Sequence, residues 1–356
     1  MNNKQLTSKE RILVAATGGI PDRVPVAPMV WDYAAVFCGK TIKEYALNPK
    51  VMAECLIRFY NTFKPDGIFV GTDVYYVAEG FGAKILIRED NVPVLVEPAI
   101  QDLSEIDKLQ VPNPYTDGRM PVVLECINIL KQELPEVTIF AIGGQATWSC
   151  AMHVAGMERF VMEATFVDKE MDEGRPELVY RLFDLTTEAY IKWQKAQIEA
   201  GADIARISDS AASINLISPS IYKKMVHPYH KQIVRELKNS YPNVPIAKHT
   251  CGNNTPVLDL WAEEGLDLAD IDYQMDLGMV KEKIGNKFAL YGNVDPSGVM
   301  VQGTVEDVKN ASIEAIDKAA NNGGFILGTG CVVPFTAPAD NIQAMINVAR
   351  TYNPYK

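Results

Sequence analysis

Short apolar runs alternate with longer amphipathic stretches along almost the whole chain, and this alternation constrains the fold more than any other sequence feature. The apolar runs that predict buried strands span residues 24–28, 67–71, 138–142, 203–207, 244–248, 268–271, 288–291 and 325–327. The amphipathic stretches that predict helices span residues 8–17, 49–63, 120–133, 175–200, 218–239, 255–264, 304–320 and 340–350. Because a strand followed by a helix is the unit of a parallel sheet, the pattern predicts an α/β fold.

The number of these units favours a (β/α)8 TIM barrel over a doubly wound sheet. A doubly wound nucleotide-binding sheet normally carries a glycine-rich phosphate loop, and the sequence contains none. Two further strand-like runs, at residues 84–87 and 92–96, fall within residues 75–114 and predict an insertion at the barrel mouth. We find no linker or repeat, so we expect a single domain over residues 1–356.

Composition excludes several classes of protein. The chain has 34 Lys and Arg against 45 Asp and Glu, a net charge of -11, which argues against binding to nucleic acid phosphates. No run of about 18 apolar residues predicts a membrane span, and the polar first residues do not resemble a secretory signal. The six cysteines lack a disulfide-like spacing. We therefore expect a cytoplasmic protein.

Polar and ligand-capable residues collect where the predicted strands end, which is where TIM barrels place their active sites. From this register we expect substrate contacts from Met29, Trp31, Tyr33, Asp73, Gln145, Trp148, Arg206, Tyr273 and Asn293. Two carboxylates at strand ends, Asp209 and Asp272, are candidate catalytic residues. An aspartate after a strand is also a common helix N-cap, and this alternative stays open for Asp209.

Three residues at strand ends predict a metal site. His249 and Cys251 are separated by one residue, so in an extended backbone their side chains point to the same face. Cys331 lies 80 positions further on, at an equivalent strand end. An imidazole and two thiolates are ligands that zinc prefers, and three protein ligands leave one coordination position open, as in catalytic zinc sites.

The remaining cysteines and histidines receive weaker predictions. Cys38, Cys55 and Cys126 are expected to be small apolar residues without a chemical role. His227 and His230 lie in a predicted helix on either side of Pro228, and we expect them to be surface or capping residues. His153 follows Gln145 and Trp148 beyond a strand end, from where it could reach the pocket.

Several motifs resemble the uroporphyrinogen decarboxylase superfamily across nearly the whole chain. They are Gly201-Ala202-Asp203, Ser208-Asp209-Ser210, Leu216-Ile217-Ser218-Pro219 and Gly292-Asn293-Val294-Asp295-Pro296. The resemblance implies a TIM barrel. The true decarboxylases of this superfamily carry an Arg-rich segment after the first strand, to hold porphyrin carboxylates. This chain has Met29-Val30-Trp31-Asp32-Tyr33 there, without an arginine, so decarboxylation of a porphyrinogen is disfavoured.

Within the superfamily, His249-x-Cys251 and the Gly328-x-Gly330-Cys331 motif resemble the zinc-dependent corrinoid methyltransferases. These include methylcobalamin:coenzyme M methyltransferases and bacterial O-demethylase components. The resemblance implies that His249, Cys251 and Cys331 bind Zn²⁺. The coenzyme M enzymes place a displaceable glutamate ligand 23 positions after the histidine, and here that position is Asp272, a shorter carboxylate.

The resemblance also implies a partner. The sequence has no Asp-x-His-x-x-Gly motif of a corrinoid carrier, so the cobalamin is expected on a separate corrinoid protein. The aromatic residues near strand ends favour a methoxyaromatic methyl donor, whereas a coenzyme M site needs a cation for the sulfonate, for which Arg206 is the candidate. Demethylation of an aryl ether is our first reading. A thiol methyltransferase is the second, and a decarboxylase or non-catalytic tetrapyrrole binder is the third.

Overall fold

The computed structural model describes residues 5–355. Its strands are β1 (Gly67–Phe69), β2 (Lys84–Leu86), β3 (Val94–Glu97), β4 (Thr138–Phe140), β5 (Ala205–Ser208), β6 (Ile246–His249), β7 (Leu268–Asp270), β8 (Ala289–Val294) and β9 (Phe325–Thr329). Its helices are α1 (Ser8–Ala16), α2 (Tyr33–Phe37), α3 (Ile42–Leu47), α4 (Pro49–Phe63), α5 (Tyr76–Gly80), α6 (Met120–Glu133), α7 (Thr147–Ala155), α8 (Met157–Asp168), α9 (Pro176–Ala200), α10 (Pro219–Ile221), α11 (His227–Ser240), α12 (Leu258–Ala262), α13 (Leu277–Ile284), α14 (Val305–Ala319) and α15 (Ala339–Thr351).

Parallel pairing arranges seven of these strands and one extended segment into a barrel. The strands β5 to β9 form one parallel sheet in chain order, and β1 pairs with β4. A bridge between Phe140 and Ile204 joins β4 to β5, and a bridge between Val26 and Leu327 joins the first segment to β9. The Asp66 amide donates to the Val26 carbonyl at 2.7 Å, which joins the first segment to β1. The predicted TIM barrel is confirmed.

The predicted first strand, at residues 24–28, is reduced to the single bridge at Val26. Pro25 and Pro28 flank it, and a proline has no N–H to donate to a neighbouring strand. The other predicted strands are present with small shifts of their ends. The predicted helices are also present, while α2, α3, α5, α7, α8 and α13 are additional.

Two apolar clusters fill the spaces inside and outside the barrel. The interior cluster includes Phe69 and Phe140, whose rings stack with centroids 4.3 Å apart, and Tyr291, which packs edge-on against Phe69. The larger cluster lies between the strands and the surrounding helices. Since the interior is packed with side chains, the space for a ligand is at the ends of the strands.

An antiparallel hairpin is added on the mouth side of the barrel. The strands β2 and β3 follow β1 and α5, and they pair in the register Lys84 to Glu97 and Leu86 to Val94. The Ile100 amide after the hairpin donates to the Val154 carbonyl in α7. The two additional strands predicted within residues 75–114 are therefore present. No helix among residues 5–355 is both long enough and apolar enough to cross a bilayer.

Candidate metal centre

His249, Cys251 and Cys331 meet at the carboxyl ends of two strands of the barrel. His249 is the last residue of β6, and Cys251 follows it by two positions. Cys331 follows Thr329, the last residue of β9, by two positions. The chain passes very close to its neighbour just before Cys331, because a Cβ at Gly330 would lie 2.4 Å from the Tyr273 amide nitrogen. Glycine is required for that approach.

The distances within this cluster match those around a tetrahedral metal ion. His249 Nε2 lies 3.3 Å from Cys251 Sγ and 3.8 Å from Cys331 Sγ, and the two sulfurs are 3.9 Å apart. With metal–sulfur bonds of about 2.3 Å and metal–nitrogen bonds of about 2.0–2.1 Å, a tetrahedron has S···S edges of about 3.8 Å and S···N edges of about 3.5 Å. A disulfide needs about 2.05 Å, so both cysteines are free thiols.

The three side chains of the cluster strongly shift one another's pKa values. A hydrogen bond from the Cys331 thiol, together with the positive charge of His249, holds the pKa of Cys251 at about 3 although burial acts in the opposite direction. The same hydrogen bond to the Cys251 thiolate raises the pKa of Cys331 well above its usual value. Burial lowers the pKa of His249, but the charge of Cys251 outweighs it and the net shift is upward. A divalent ion bound here would replace the shared protons.

Ser210 is a neighbour of the cluster to which the sequence analysis gave no role. Its hydroxyl lies 3.3 Å from Cys251 Sγ, and its amide donates to the Gln145 side chain at 2.9 Å. The residue sits in the predicted motif Ser208-Asp209-Ser210, directly after β5. Its position just after a predicted strand was the sequence signal that could have identified Ser210 as a site residue. Gln145 is thus occupied in holding this loop.

Asp272 does not join the three ligands in this structure. Its carboxylate accepts the Gly252 amide at 2.8 Å and the Gln274 amide at 2.9 Å, and the group of ligand atoms within 4.8 Å of one another contains only His249, Cys251 and Cys331 among residues 5–355. Burial raises the pKa of Asp272. Ligation by Asp272 stays a prediction, and in this structure two backbone N–H groups hold its short side chain.

Asp209 is occupied in structural bonds, contrary to the predicted catalytic role. Its carboxylate accepts the Trp148 amide at 3.1 Å, the Ser149 amide at 2.8 Å and the Ser149 hydroxyl. It also accepts a bond from His230 Nε2 at 3.0 Å. The side chain is fully buried. Asp209 thus binds the first turn of α7, as a capping carboxylate does, although from a distant strand end.

His230 and His227 are buried, so the prediction that they are surface or capping residues was wrong. His230 is fully enclosed between Asp209 and Glu264. His227 Nδ1 lies 3.3 Å from Glu264, which also pairs with Lys248. A π-helix over Tyr222–Val226 precedes α11 and changes the helical phase, which the sequence pattern did not reveal.

Three of the predicted substrate contacts belong to the core. Trp148 is 1% exposed and packs on Phe160 and Phe183. Tyr33 packs on Phe37 and Phe59. Met29 is part of the interior cluster. These side chains lie beyond strand ends as predicted, but they turn into the apolar layers, where burial of an aromatic surface is favourable.

Other predicted contacts remain near the mouth. Tyr273 is 44% exposed, and its backbone touches Gly330 beside Cys331. Trp31 is half-buried, and its indole N–H has no partner among the described residues. Asn293 donates to the backbone carbonyls of Asp272 and Met275 and so holds the loop after β7.

Two buried arginines, Arg206 and Arg119, are already paired with carboxylates. Arg206 is 1% exposed and bonds to Asp270 inside the barrel. Arg119 donates to Asp73 at 2.6 Å and to Glu79 at 2.8 Å. Arg119 precedes α6 and does not follow a strand, so the sequence pattern gave no signal for it. The predicted use of Arg206 to bind an anionic substrate is not supported by this pairing.

Fold and cluster together define the class: a (β/α)8 barrel whose mouth carries one imidazole and two thiols arranged as metal ligands. The chain belongs to the uroporphyrinogen decarboxylase (URO-D) family, which it matches over residues 7–352.

Similar proteins include both decarboxylases and a methyltransferase. A uroporphyrinogen decarboxylase of Trichodesmium erythraeum is 27% identical over 97% of both chains, and one of Crocosphaera subtropica is 26% identical over 95% of both. A solved structure of a methyltransferase from Methanosarcina mazei has a TM-score of 0.86 and is 24% identical, covering 97% of this chain and 98% of that one. At this identity the likeness to the solved structure shows the fold alone.

Proposed function

We propose that the protein is a zinc-dependent methyltransferase that moves a methyl group between a small substrate and the cobalt of a corrinoid protein. One observation carries this proposal: His249, Cys251 and Cys331 place a nitrogen and two sulfurs within 4.8 Å of one another at the barrel mouth. Three such ligands suit Zn²⁺ and leave a fourth position for substrate. Bound there, Zn²⁺ would act as a Lewis acid on an ether oxygen or stabilise a substrate thiolate.

The side chains around the cluster organise it without closing it. Ser210 contacts Cys251, and the Asp272 carboxylate fixes the Gly252 amide in the turn directly after Cys251. No fourth Cys or His joins the three among residues 5–355. A structural zinc site is normally closed by a fourth such ligand, so this arrangement favours a catalytic site.

The charges near the mouth favour an uncharged methyl donor. Arg206, which lies in β5, and Arg119, which lies beside Asp73, are each paired with a buried carboxylate. Releasing either one to bind a sulfonate would leave a buried carboxylate unpaired, which is strongly unfavourable. Tyr273 and Trp31 offer aromatic surface instead. We therefore favour a methoxyaromatic ether as the substrate.

In the proposed reaction the bond between the ether oxygen and the methyl carbon breaks. The oxygen keeps the bonding electron pair and leaves as a phenolate. Co(I) of the partner's corrinoid would supply the electron pair of the new cobalt–carbon bond. His249, Cys251 and Cys331 would hold the Zn²⁺ that polarises the ether oxygen, with Tyr273 and Trp31 as the nearby aromatic side chains.

A thiol methyltransferase is the second candidate. The cluster itself favours it, because a Zn²⁺ ion on the same three ligands would hold a thiol substrate as a thiolate. A thiol substrate without a sulfonate group would not need a free arginine to bind it. Decarboxylation, or binding of a tetrapyrrole without catalysis, is a third candidate that rests on the names of the relatives.

Two assays with one variant pair test the proposal. Purified protein, loaded with zinc, is given guaiacol and cob(I)alamin in one assay, and methylcobalamin and a thiol in the other. We expect methylcobalamin to form in the first. Cys331→Ala should lose both bound zinc and turnover, whereas Cys38→Ala, a half-buried cysteine outside the cluster, should keep both.

Each result has a defined meaning. Activity only with the thiol favours the second candidate. Release of carbon dioxide from uroporphyrinogen, together with no methyl transfer in either assay, supports the decarboxylase candidate. A wild-type protein that binds no zinc under non-chelating conditions contradicts the proposal itself.

A further inference from the structure

One hydroxyl group lies against a sulfur of the metal cluster. Ser210 Oγ is 3.3 Å from Cys251 Sγ, within hydrogen-bond distance for an oxygen and a sulfur. Among residues 5–355, this sulfur is the only hydrogen-bond partner of the Ser210 hydroxyl. A metal-bound thiolate has no proton of its own, whereas a serine hydroxyl has one to donate. When an ion occupies the cluster, Ser210 is therefore the donor and Cys251 the acceptor.

Two backbone hydrogen bonds fix the segment that carries this hydroxyl. The Asp209 amide donates to the His249 carbonyl at 3.1 Å. The Ser210 amide donates to Gln145 Oε1 at 2.9 Å. The first of these bonds ties the end of β5 directly to the end of β6, which carries His249 and is followed by Cys251. The hydroxyl is thus placed beside Cys251 by bonds that do not involve a metal.

The two cysteine sulfurs differ in this respect. Cys331 Sγ contacts Cys251 Sγ and His249 Nε2, and no side-chain hydroxyl among residues 5–355 forms a hydrogen bond with it. Thr329 has a hydroxyl two residues before Cys331, but it donates to the Cys331 backbone carbonyl at 2.7 Å. Cys251 is therefore the ligand sulfur that receives a side-chain hydroxyl. A hydrogen bond to a thiolate lowers the electron density on the sulfur and makes it a weaker nucleophile.

Methyl transfer makes the nucleophilicity of the ligand sulfurs important. The proposed reaction brings an electrophilic methyl carbon to the metal, and thiolates are nucleophiles. If a ligand sulfur took the methyl group, its lone pair would form the sulfur–carbon bond and the carbon–oxygen bond of the ether would break, with the electron pair going to oxygen. The site would then lose an anionic ligand. A hydroxyl that donates to the sulfur opposes this side reaction, because it stabilises the thiolate more than the alkylated product.

We propose that Ser210 is a positioning residue for Cys251, and that its hydroxyl donates to the metal-bound thiolate and protects this ligand from alkylation. The inference rests on the proposed function, because it presumes a metal ion on the three ligands. Groups that form hydrogen bonds with metal ligands orient them and adjust their basicity. Gln145 contributes indirectly, since it holds the Ser210 backbone.

Alkylation of the zinc-loaded protein tests the inference. Iodoacetamide is added in a limiting amount, and peptide mass spectrometry separates the reaction of Cys251 from that of Cys331. We expect Ser210→Ala to react about 10-fold faster at Cys251 than wild type does, because a hydrogen bond to a charged sulfur is lost. The rate at Cys331 should not change. Ser210→Thr keeps the hydroxyl, so its rates should equal those of wild type.

Ser213→Ala is the matched control, because it removes a hydroxyl from the same loop. That hydroxyl accepts the Asn215 amide at 3.2 Å and, among residues 5–355, forms no hydrogen bond with a sulfur of the cluster. Its alkylation rates should equal those of wild type.

Absorption of the cobalt-substituted protein gives a readout that involves no reaction. The thiolate-to-cobalt charge-transfer band should move to longer wavelength in Ser210→Ala, because a sulfur without its hydrogen bond gives up an electron more easily. The band should stay in place in Ser210→Thr and in Ser213→Ala.

The outcomes separate this inference from the proposed function. Metal-loaded Ser210→Ala with the wild-type alkylation rate at Cys251 and an unshifted charge-transfer band would overturn the role of Ser210 and leave the metal site intact. Equal changes in Ser213→Ala would also overturn it, since they would assign the effect to the loop. Wild-type protein that binds neither zinc nor cobalt would remove both proposals. If Ser210→Ala does not fold, Ser210→Gly, which also lacks the hydroxyl, replaces it in both measurements.

Discussion

Individual residues near the mouth differ in whether burial or a charged neighbour controls their protonation. In the cluster the neighbours dominate, and the pKa of Cys251 falls to about 3 beside the Cys331 thiol and His249. At His153 burial dominates, and it lowers the pKa to about 4 although Asp209 and Asp73 act to raise it. The same buried shell around the mouth thus favours a thiolate at one position and a neutral imidazole at another.

His153 therefore makes folding stability depend on pH. It is 7% exposed and packs against Tyr75, with ring centres 4.8 Å apart. Between pH of about 4 and 6.5 the unfolded chain binds a proton at this residue that the folded protein does not, so stability falls as pH falls through this window. From pH 7 to pH 5 its share of that loss should be about 2 kcal/mol.

Urea unfolding of wild type and His153→Phe at both pH values measures this share. The difference in unfolding free energy between the two proteins should shift by about 2 kcal/mol in favour of the variant at pH 5. The metal-free protein is used throughout, so that zinc release at low pH does not contribute. A difference that is the same at pH 7 and pH 5 would contradict the prediction.

At the scale of elements, one carboxylate joins three separate parts of the barrel wall. Asp209 follows β5, accepts the first-turn amides of α7 and accepts a bond from His230 in α11. The Ser149 hydroxyl, which donates to Asp209, also accepts the Ala211 amide. The loop that carries Ser210 toward Cys251 is thereby fixed to two helices.

Asp209→Ala should lower the free energy of unfolding by about 3 kcal/mol or more, because it leaves two helix amides and His230 without an acceptor in a buried site. Chemical denaturation measures the change. Asp209→Asn, which keeps acceptor capacity on one oxygen, should lose less. The folded Asp209→Asn protein should retain its zinc and its turnover. Complete loss of turnover with unchanged stability would instead restore the catalytic role predicted from the sequence.

At the scale of the whole molecule, the two ends of the barrel have different tasks. The amino-terminal end carries a charged cluster in which Asp66 binds Arg11, Arg23 and the Val26 amide. These bonds tie the first segment, which has only a single-residue bridge, to β1 and α1. The metal ligands lie at the opposite end of the strands. In TIM barrels, residues at the amino-terminal end contribute to stability and those at the carboxyl end to chemistry.

Asp66→Ala should therefore destabilise the protein without changing its site. The expected loss of unfolding free energy is about 3–5 kcal/mol, because two arginines lose their buried partner. Thermal unfolding followed by circular dichroism measures it, and chelator competition below the melting transition measures zinc affinity. We expect that affinity to equal the wild-type value. A large fall in zinc affinity would show that the two ends are coupled.

The sequence alone determined the features that depend on local pattern. The apolar or amphipathic character of a stretch can be recognised in a window of about twenty residues or fewer. The alternation of such stretches predicted the barrel and most of its strands. The spacing of His249 and Cys251 placed both on one face, because an extended backbone repeats every two residues. Cys331, far away in the chain, was added by its equivalent strand end and by the motif around it.

Only the tertiary structure decided which side chains turn toward the mouth and which are already bonded. Trp148 and Tyr33 follow strand ends but pack into the core, and Asp209 is held by α7 and His230. The pairing of Arg206 with Asp270 joins residues 64 positions apart. Such choices depend on contacts between distant segments, whose free energies compete only after the barrel has closed, and no local repeat in the chain encodes them.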